Sequence, residues 1–284
     1  MRRLFFAALA ALMLATAVPA AAITYGQPDN GAHPQVGLVV FYRQATPTER
    51  AQLGHDLVPL WRCSGTLLTS TLLLTAGHCT APDGTDTPTQ AQVWFQDSVP
   101  SSIGYPWSGG TMGTPFHPAG VWASFPDTHD VGAVKLNKQI KGVTYATLAP
   151  LGFLDQFATR RGLQDLNLTA VGYGLQQVVP FEVRIRQRYA ASQQITDLVS
   201  ALTDGFNVRS TNAPGNGTGD GITEPGGTCF GDSGGPAFYG TSLMIVAVTS
   251  FGQNSNCKGG DYAYRTDIAF TQDWLRETFG YVSR

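Results

Sequence analysis

The chain has 284 residues, of which 43% are hydrophobic and 13% are charged, and its formal net charge is −2. This composition supplies enough apolar surface for a folded core and excludes a disordered chain. Runs of like charge are missing, so we expect neither a nucleic-acid partner nor a membrane partner.

Residues 1–22 are predicted to be a signal peptide. Arg2 and Arg3 form a basic start, the stretch Leu4–Val18 is almost wholly apolar, and the small residues Ala20–Ala22 suit signal peptidase. A single membrane helix is the alternative, but the apolar stretch is short for a span of about 20 residues. We therefore expect a secreted, extracellular protein.

Most of the remaining chain is predicted to form short strands. Stretches rich in β-branched, aromatic or aliphatic residues alternate with turn-forming residues; they are Val36–Tyr42, Gly65–Leu74, Ala91–Phe95, Val131–Leu136, Leu168–Val171, Leu243–Ser250 and Tyr262–Tyr264. This pattern indicates an antiparallel barrel or sandwich. From Asp267 to Phe279 the apolar spacing predicts a helix. The glycine-rich stretch Asn212–Gly227 is predicted to be a loop with a functional surface.

The four cysteines are Cys63, Cys79, Cys229 and Cys257. An even number in an exported chain favours two disulfides, and the sequence alone allows three pairings. A metal site would favour close C-x-x-C pairs, and the sequence contains none, so no metal site is expected.

The segment Gly231–Pro236 reads Gly-Asp-Ser-Gly-Gly-Pro and is typical of a nucleophilic serine. The glycines on either side of Ser233 permit a tight turn and let a substrate approach the backbone closely. A nucleophilic serine also needs free backbone N–H groups nearby to bind an oxyanion. An ordinary glycine-rich turn is the alternative.

Chain order separates the classes of serine hydrolase. In α/β-hydrolases the histidine follows the serine, but here all histidines precede Ser233; they are His33, His55, His78, His117 and His129. A subtilisin-like order is formally possible, because Asp29 and Asp56 precede His78, but the long helices of that fold are not indicated. The order that remains is His, Asp, Ser.

His78 is the candidate general base. It ends the apolar strand that begins at Leu72, and it lies beside Cys79. A disulfide from Cys79 back to Cys63 would restrain its backbone, as a base with one fixed position requires.

Asp130 is the candidate acid that orients the base. It leads into the apolar stretch Val131–Leu136, whereas no apolar strand follows Asp127 or Asp155. His129 is its neighbour rather than the base, since adjacent residues of an extended chain point in opposite directions.

These motifs resemble the chymotrypsin/trypsin-like serine protease family. Thr75–Cys79 and Gly231–Pro236 match its two signature segments, and Asp130–Leu136 resembles its aspartate segment. Weaker resemblances follow in the family's order, at Ile23–Gly26, Cys63–Gly65, Gly172–Gly174 and Ser250–Gly252. The resemblance covers residues 23–284.

This resemblance implies two six-stranded antiparallel β-barrels and a C-terminal helix, with the active site between a first barrel at about 23–145 and a second at about 146–284. It also implies the disulfides Cys63–Cys79 and Cys229–Cys257. The activity it implies is hydrolysis of protein or peptide substrates without a cofactor. We expect a monomer, with a proteinaceous inhibitor as a further partner.

The resemblance assigns the site residues as follows: a catalytic triad of His78, Asp130 and Ser233, an oxyanion hole of the N–H groups of Gly231 and Ser233, and a substrate-pairing strand of Ser250, Phe251 and Gly252. A binding protein on an inactive protease scaffold is the competing class. Such proteins typically lose a triad residue, and this chain has all three.

In this family a new N-terminal ammonium pairs with the aspartate before the nucleophile, here Ile23 with Asp232. Ile23 directly follows Ala20–Ala22, so we hypothesise that signal peptidase creates the activating N-terminus without a propeptide. Cleavage after Ala20 would instead leave two residues to be trimmed.

The same resemblance implies a primary specificity pocket with Gly227 at its base and Gly252 and Gly260 in its walls. Three glycines describe a roomy, uncharged pocket for a large apolar side chain. Asp261 is the alternative, because a register shift of one residue would bring its carboxylate into the pocket and favour basic side chains.

Overall fold

The computed structural model describes residues 23–159, 166–212 and 225–283. The strands in these ranges are β1 (Gln27–Pro28), β2 (Val36–Gln44), β3 (Leu57–Leu67), β4 (Leu72–Thr75), β5 (Gln90–Trp94), β6 (Thr111–Phe116), β7 (Gly132–Leu136), β8 (Thr147–Leu148), β9 (Asn167–Gly172), β10 (Tyr189–Asp197), β11 (Asn207–Ser210), β12 (Pro236–Tyr239), β13 (Met244–Gly252) and β14 (Asp261–Arg265). The α-helices are α1 (Pro47–Leu53), α2 (Gly77–Thr80) and α3 (Ala269–Phe279). In the described part of the chain, no helix combines the length and the apolar character that crossing a membrane requires. The predicted signal peptide and residues 213–224 of the predicted loop lie outside the described residues.

The first barrel closes from six antiparallel strands in the order β2-β3-β4-β7-β6-β5. Strand β2 is apolar on both faces because both faces are buried. Val39 and Phe41 pack in the barrel interior, whereas Leu38 and Val40 belong to a second core that also contains residues of the other barrel. Alternate residues of a strand point to opposite faces, so an unbroken apolar run is what this position requires.

The second barrel closes from β9, β10, β11, β14, β13 and β12, since β9 pairs with both β10 and β12. Short β1 adds to β10, and β8 adds in parallel to β13. Helix α3 follows this barrel and ends at Gly280, which has the left-handed φ of 66°. The predicted two six-stranded barrels and C-terminal helix are confirmed.

The predicted single strand Gly65–Leu74 is wrong. Strand β3 ends at Leu67 and β4 begins at Leu72, and the two pair as a hairpin. The hydroxyl of Thr69 accepts hydrogen bonds from the backbone N–H groups of Thr71 (3.3 Å) and Leu72 (3.0 Å), which closes the turn. The apolar residues continue through this turn, so the sequence pattern hides it.

The two barrels exchange short segments around the predicted boundary. Strand β1 lies in the first half of the chain but pairs with β10 of the second barrel. Helix α3 follows the second barrel but contacts the first, where Phe279 meets the edge of Phe116 with ring centroids 5.2 Å apart. These crossings add to the contacts that join the two barrels.

Candidate active site

His78 lies in the one-turn helix α2, directly after β4. The disulfide Cys63–Cys79 joins this helix to β3, and the indole N–H of Trp61 donates to the carbonyl of Cys79 at 2.9 Å. The backbone N–H of His78 donates to Oδ1 of Asp130 at 2.7 Å. The histidine is therefore fixed by a covalent link and by backbone bonds before its ring is considered.

Asp130 precedes β7 and is fully buried. Its Oδ2 lies 2.9 Å from Nδ1 of His78, and the hydroxyl of Ser250 donates to the same oxygen. Burial alone would raise the pKa of Asp130, but His78 and Ser250 lower it below its usual value. Burial would likewise lower the pKa of His78, and the carboxylate of Asp130 outweighs this and raises it.

Ser233 lies in the loop between Cys229 and β12, which the disulfide Cys229–Cys257 anchors. The adjacent Gly234 has a φ of 77°, and a Cβ added there would lie 2.0 Å from Oγ1 of Thr75, so only glycine fits. Among the described residues, neither the N–H of Gly231 nor that of Ser233 donates to a protein acceptor. Two free backbone donors therefore flank the serine.

His78 and Ser233 line the same cavity. Across the described ranges, no hydrogen bond links Nε2 of His78 to the hydroxyl of Ser233, and Nε2 lies 3.7 Å from Sγ of Cys79. The structure thus brings together the histidine–aspartate pair and places the serine beside it. Hydrogen bonds of this kind are often long without substrate and shorten on binding.

Asp232 is fully buried and accepts hydrogen bonds from the N–H groups of Gly174 (2.7 Å) and Cys229 (2.9 Å). Burial raises its pKa to about 7. Ile23 is also buried and packs against Ala170, Tyr189 and Ala191. Within the described residues no bond joins Ile23 to Asp232, so their predicted pairing remains a prediction.

A cavity of about 340 Å³ opens beside Ser233. It is lined by residues of the serine loop, of β13 and of the segment after β13, including Phe230, Ser250, Gly252 and Asp261. Its volume suits a large side chain.

The structure differs from the predicted pocket at Gly227 and Gly260, and it places the alternative residue, Asp261, in the lining. Asp261 lines the cavity, whereas Gly227 and Gly260 do not: a Cβ added to Gly227 would meet Asn212, and one added to Gly260 would meet Arg209. A bulge in β13 between Thr249 and Phe251 shifts the register, so that Asp261 pairs with Gly252.

Both oxygens of the Asp261 carboxylate accept hydrogen bonds from within the protein. It accepts from the backbone N–H of Thr228 (2.5 Å), from Nε2 of Gln193 (2.6 Å) and from Nδ2 of Asn212 (2.8 Å). Burial raises its pKa to about 6.

Phe251 is surrounded by aromatic side chains that were not among the predicted site residues. Its ring stacks on Tyr262 with centroids 4.5 Å apart, and it meets the edges of Trp122 at 5.3 Å and Phe125 at 6.0 Å. Trp122 also lines a second cavity of about 400 Å³ with His78 and Ser250. The signal for this surface was a pair of aromatic residues in the loop just before the candidate acid.

Two antiparallel β-barrels that carry a histidine–aspartate pair on one barrel and an adjacent serine loop on the other define the chymotrypsin-like class of serine protease folds. The family model for trypsin matches residues 43–275, and the chain belongs to the trypsin family.

Known proteins share parts of the sequence or the whole fold. Serine protease 1 and Serine protease 2 of Drosophila melanogaster are each 40% identical over 53 residues, which is 19% of this chain and 20% of each relative. The chain thus matches about a fifth of the length of these curated relatives. Among solved structures, HL collagenase has a TM-score of 0.62 at 14% identity and covers 92% of this chain and 100% of its own. Human heparin binding protein has a TM-score of 0.59 at 15% identity, over 92% of this chain and 98% of its own. At these identities the likeness shows the fold alone.

Proposed function

We propose that this protein is a secreted serine endopeptidase that cleaves peptide bonds through His78, Asp130 and Ser233. The observation that carries the proposal is the buried carboxylate of Asp130 bound to Nδ1 of His78, with the imidazole and Ser233 on one cavity. The family supports the same conclusion.

The chemistry follows from these positions. Nε2 of His78 takes the hydroxyl proton as Oγ of Ser233 attacks the scissile carbonyl carbon, and Asp130 stabilises the imidazolium that forms. The oxyanion accepts from the free N–H groups of Gly231 and Ser233. As the tetrahedral intermediate collapses, the C–N bond breaks and the Nε2 proton passes to the leaving amine. Water then hydrolyses the acyl-enzyme by the same steps, with His78 again as base.

The substrate backbone is proposed to pair with Ser250–Gly252 at the end of β13 as an added strand. The side chain before the scissile bond would enter the 340 Å³ cavity. We propose a preference for large apolar side chains there, because both carboxylate oxygens of Asp261 already accept hydrogen bonds from the protein. A lysine or arginine side chain would have to compete with those donors.

Export and activation complete the proposal. Two disulfides suit an oxidising, extracellular compartment. Removal of residues 1–22 would free the amine of Ile23, which we propose pairs with Asp232. The carboxylate of Asp232 has only backbone N–H donors as hydrogen-bond partners among the described residues, and its raised pKa means that a nearby cation would stabilise its charge. The proposed partners are protein or peptide substrates and a proteinaceous inhibitor, and the proposed state is a monomer.

The test is the intact mass of the secreted protein before and after reaction with a fluorophosphonate. We expect one covalent adduct on a chain that begins at Ile23, its loss in Ser233→Ala and its retention in Ser242→Ala, a change to an exposed turn serine. No adduct on a chain that begins at Ile23 would contradict the enzymatic proposal and favour a binding protein. An active chain that begins at Ala21 would contradict the proposed activation.

A further inference from the structure

Ser64 connects three segments that meet beneath the nucleophile loop. It is fully buried in β3, one residue after Cys63. Its hydroxyl donates to the carbonyl of Gly231 (2.9 Å) and accepts from the N–H of Tyr173 (3.0 Å). Its own N–H donates to the carbonyl of Ser233 at 2.8 Å, and its carbonyl accepts from the hydroxyl of Thr75 at 2.8 Å. Every polar group of Ser64 is therefore bonded.

The N–H of Gly231 lies in the peptide plane between Phe230 and Gly231, and the plane after Gly231 constrains it through the two backbone dihedrals of this residue. In the first plane, the carbonyl of Phe230 accepts from the N–H of Leu175 at 2.9 Å. The N–H of a trans peptide points away from its carbonyl, so this bond directs the N–H of Gly231 away from Leu175. In the second plane, the carbonyl of Gly231 accepts from the hydroxyl of Ser64, and the N–H of Asp232 donates to the carbonyl of Cys229 at 2.9 Å.

Gly231 needs anchors on both planes because its backbone has little preference of its own. Its φ is 99°, in a region that glycine enters without steric cost and can also leave without one. The hydroxyl of Ser64 carries a single proton. Because the N–H of Tyr173 donates to the hydroxyl oxygen, the proton points away from Tyr173 and is donated to the carbonyl of Gly231.

We propose that Ser64 is a positioning residue of the oxyanion hole, whose hydroxyl fixes the peptide after Gly231 and so keeps the Gly231 N–H directed at the developing oxyanion. Ser64 touches neither the substrate nor the reacting atoms in this account. The inference rests on the proposed function and adds to it a residue outside the triad and outside the oxyanion donors.

The same strand offers a matched control. Thr66 lies two residues further along β3 and is 1% exposed, and its hydroxyl has no hydrogen-bond partner among the described residues. Thr66→Val therefore removes a buried hydroxyl from the same strand without removing a bond to the nucleophile loop. Any general effect of changing the β3 core should be common to this variant and Ser64→Ala.

The experiment compares the wild type, Ser64→Ala and Thr66→Val in two assays. The first measures kcat and KM on a peptide amide substrate, at a temperature where circular dichroism shows each variant folded. The second measures inhibition by a peptide aldehyde, which forms a tetrahedral oxyanion with Ser233, and by the carboxamide of the same peptide, which does not.

Removal of a complete oxyanion donor costs about 10²–10³ in kcat, and Ser64→Ala loosens a donor rather than removing it. We expect kcat to fall about tenfold with KM within about twofold of wild type. The inhibition constant of the aldehyde should rise about tenfold, while that of the carboxamide stays unchanged. Thr66→Val should change none of these values.

Equal weakening of the aldehyde and the carboxamide, or a kcat no lower than that of Thr66→Val, would overturn the inference. If Ser64→Ala does not fold, Ser64→Gly leaves room for a water beside the Tyr173 N–H, and the same split is required of it. A folded wild type that neither turns over nor reacts with a fluorophosphonate would overturn the proposed function itself, which distinguishes that failure from a failure at Ser64.

Discussion

At the scale of single residues, the pair of His78 and Asp130 sets the state of the proposed base. Asp130 contacts the histidine twice, through the backbone N–H and through Nδ1. The first bond positions the residue and the second selects the tautomer with its proton on Nδ1, which leaves Nε2 free to accept a proton.

Asp130→Asn should lower kcat by about 10⁴, because an amide N–H facing Nδ1 favours the wrong tautomer. It should also move the acid limb of the kcat/KM profile to lower pH, since Asp130 raises the pKa of His78. The measurement is kcat/KM on a peptide amide between about pH 5 and 9.

Asp127→Asn is the matched control for this variant. Asp127 is close in sequence and accepts from the hydroxyl of Tyr264 at 2.9 Å, but among the bonds of the described residues none joins it to His78. Its acid limb should coincide with that of the wild type. An unshifted limb in Asp130→Asn would mean that another group controls the titration.

The triad candidates could be identified from the sequence because each lies in a short motif whose chemical role is clear. The hydroxyl bond from Ser250 to Asp130 could not, because it joins positions 120 residues apart through the packing of the two barrels. Asp261 could be named from the sequence only as the alternative pocket residue, since the bulge at Thr249–Phe251 leaves no mark in the apolar pattern of β13.

At the scale of elements, the pairing of β13 with β14 decides what the pocket can bind. The bulge turns Asp261 toward the cavity, and burial raises the pKa of its carboxyl to about 6. Below that pH the carboxyl is neutral, and above it the carboxylate can attract a cationic side chain.

We therefore expect cleavage after lysine to increase relative to cleavage after phenylalanine as the pH rises from about 5 to 8. The ratio of kcat/KM for two peptides that differ only at that position should rise about tenfold, and the titration of His78 cancels in the ratio. Asp261→Asn should make the ratio independent of pH. A ratio that still rises in Asp261→Asn would assign the charge to another group.

The strands differed in how clearly the sequence predicted them. Strand β2 was predicted because both of its faces are buried and apolar. Strand β10 was not predicted, although it is central to the second barrel, because its buried residues include Ser192 and Gln193. Gln193 is buried because its side chain donates to Asp261 beside the cavity. The polar residues that hid this strand in the sequence therefore include one that supports the candidate site.

At the scale of the whole molecule, Arg188 joins the two barrels. It directly precedes β10 of the second barrel and is 1% exposed. Its guanidinium donates to the carbonyls of Val36 (3.0 Å) and Phe95 (3.2 Å) in the first barrel and to the carboxylate of Asp29 at 2.7 Å. A buried cation with this many acceptors is costly to leave partly unpaired.

The sequence could not reveal this connection between the two barrels. Arg188 and Asp29 are 159 residues apart, and neither lies in a motif. Their pairing follows from the N-terminal segment, which crosses to the second barrel through β1.

Arg188→Met should lower the free energy of unfolding at pH 7 by about 3–5 kcal/mol, because it removes the buried guanidinium from the carbonyls of Val36 and Phe95 and leaves Asp29 with His33 alone. The control is Arg184→Met, which breaks an exposed pair with Glu182 and should cost less than about 1 kcal/mol. Urea denaturation followed by circular dichroism measures both.

The pH dependence of stability also tests the contribution of Asp29, which bonds both Arg188 and His33. Burial would raise the pKa of Asp29, but His33 and Arg188 lower it to about 2. A carboxyl with a lowered pKa in the folded state stabilises the fold above its unfolded pKa of about 4, and this stabilisation is lost as the pH falls through about 2. The wild type should therefore lose about 2 kcal/mol from this group between about pH 5 and pH 2, and Asp29→Asn should lack that component.

Since the proposed active site lies between the barrels that Arg188 joins, loss of fluorophosphonate labelling should coincide with unfolding in urea. Loss of labelling in Arg188→Met at urea concentrations where circular dichroism is unchanged would show that the barrels separate before they unfold.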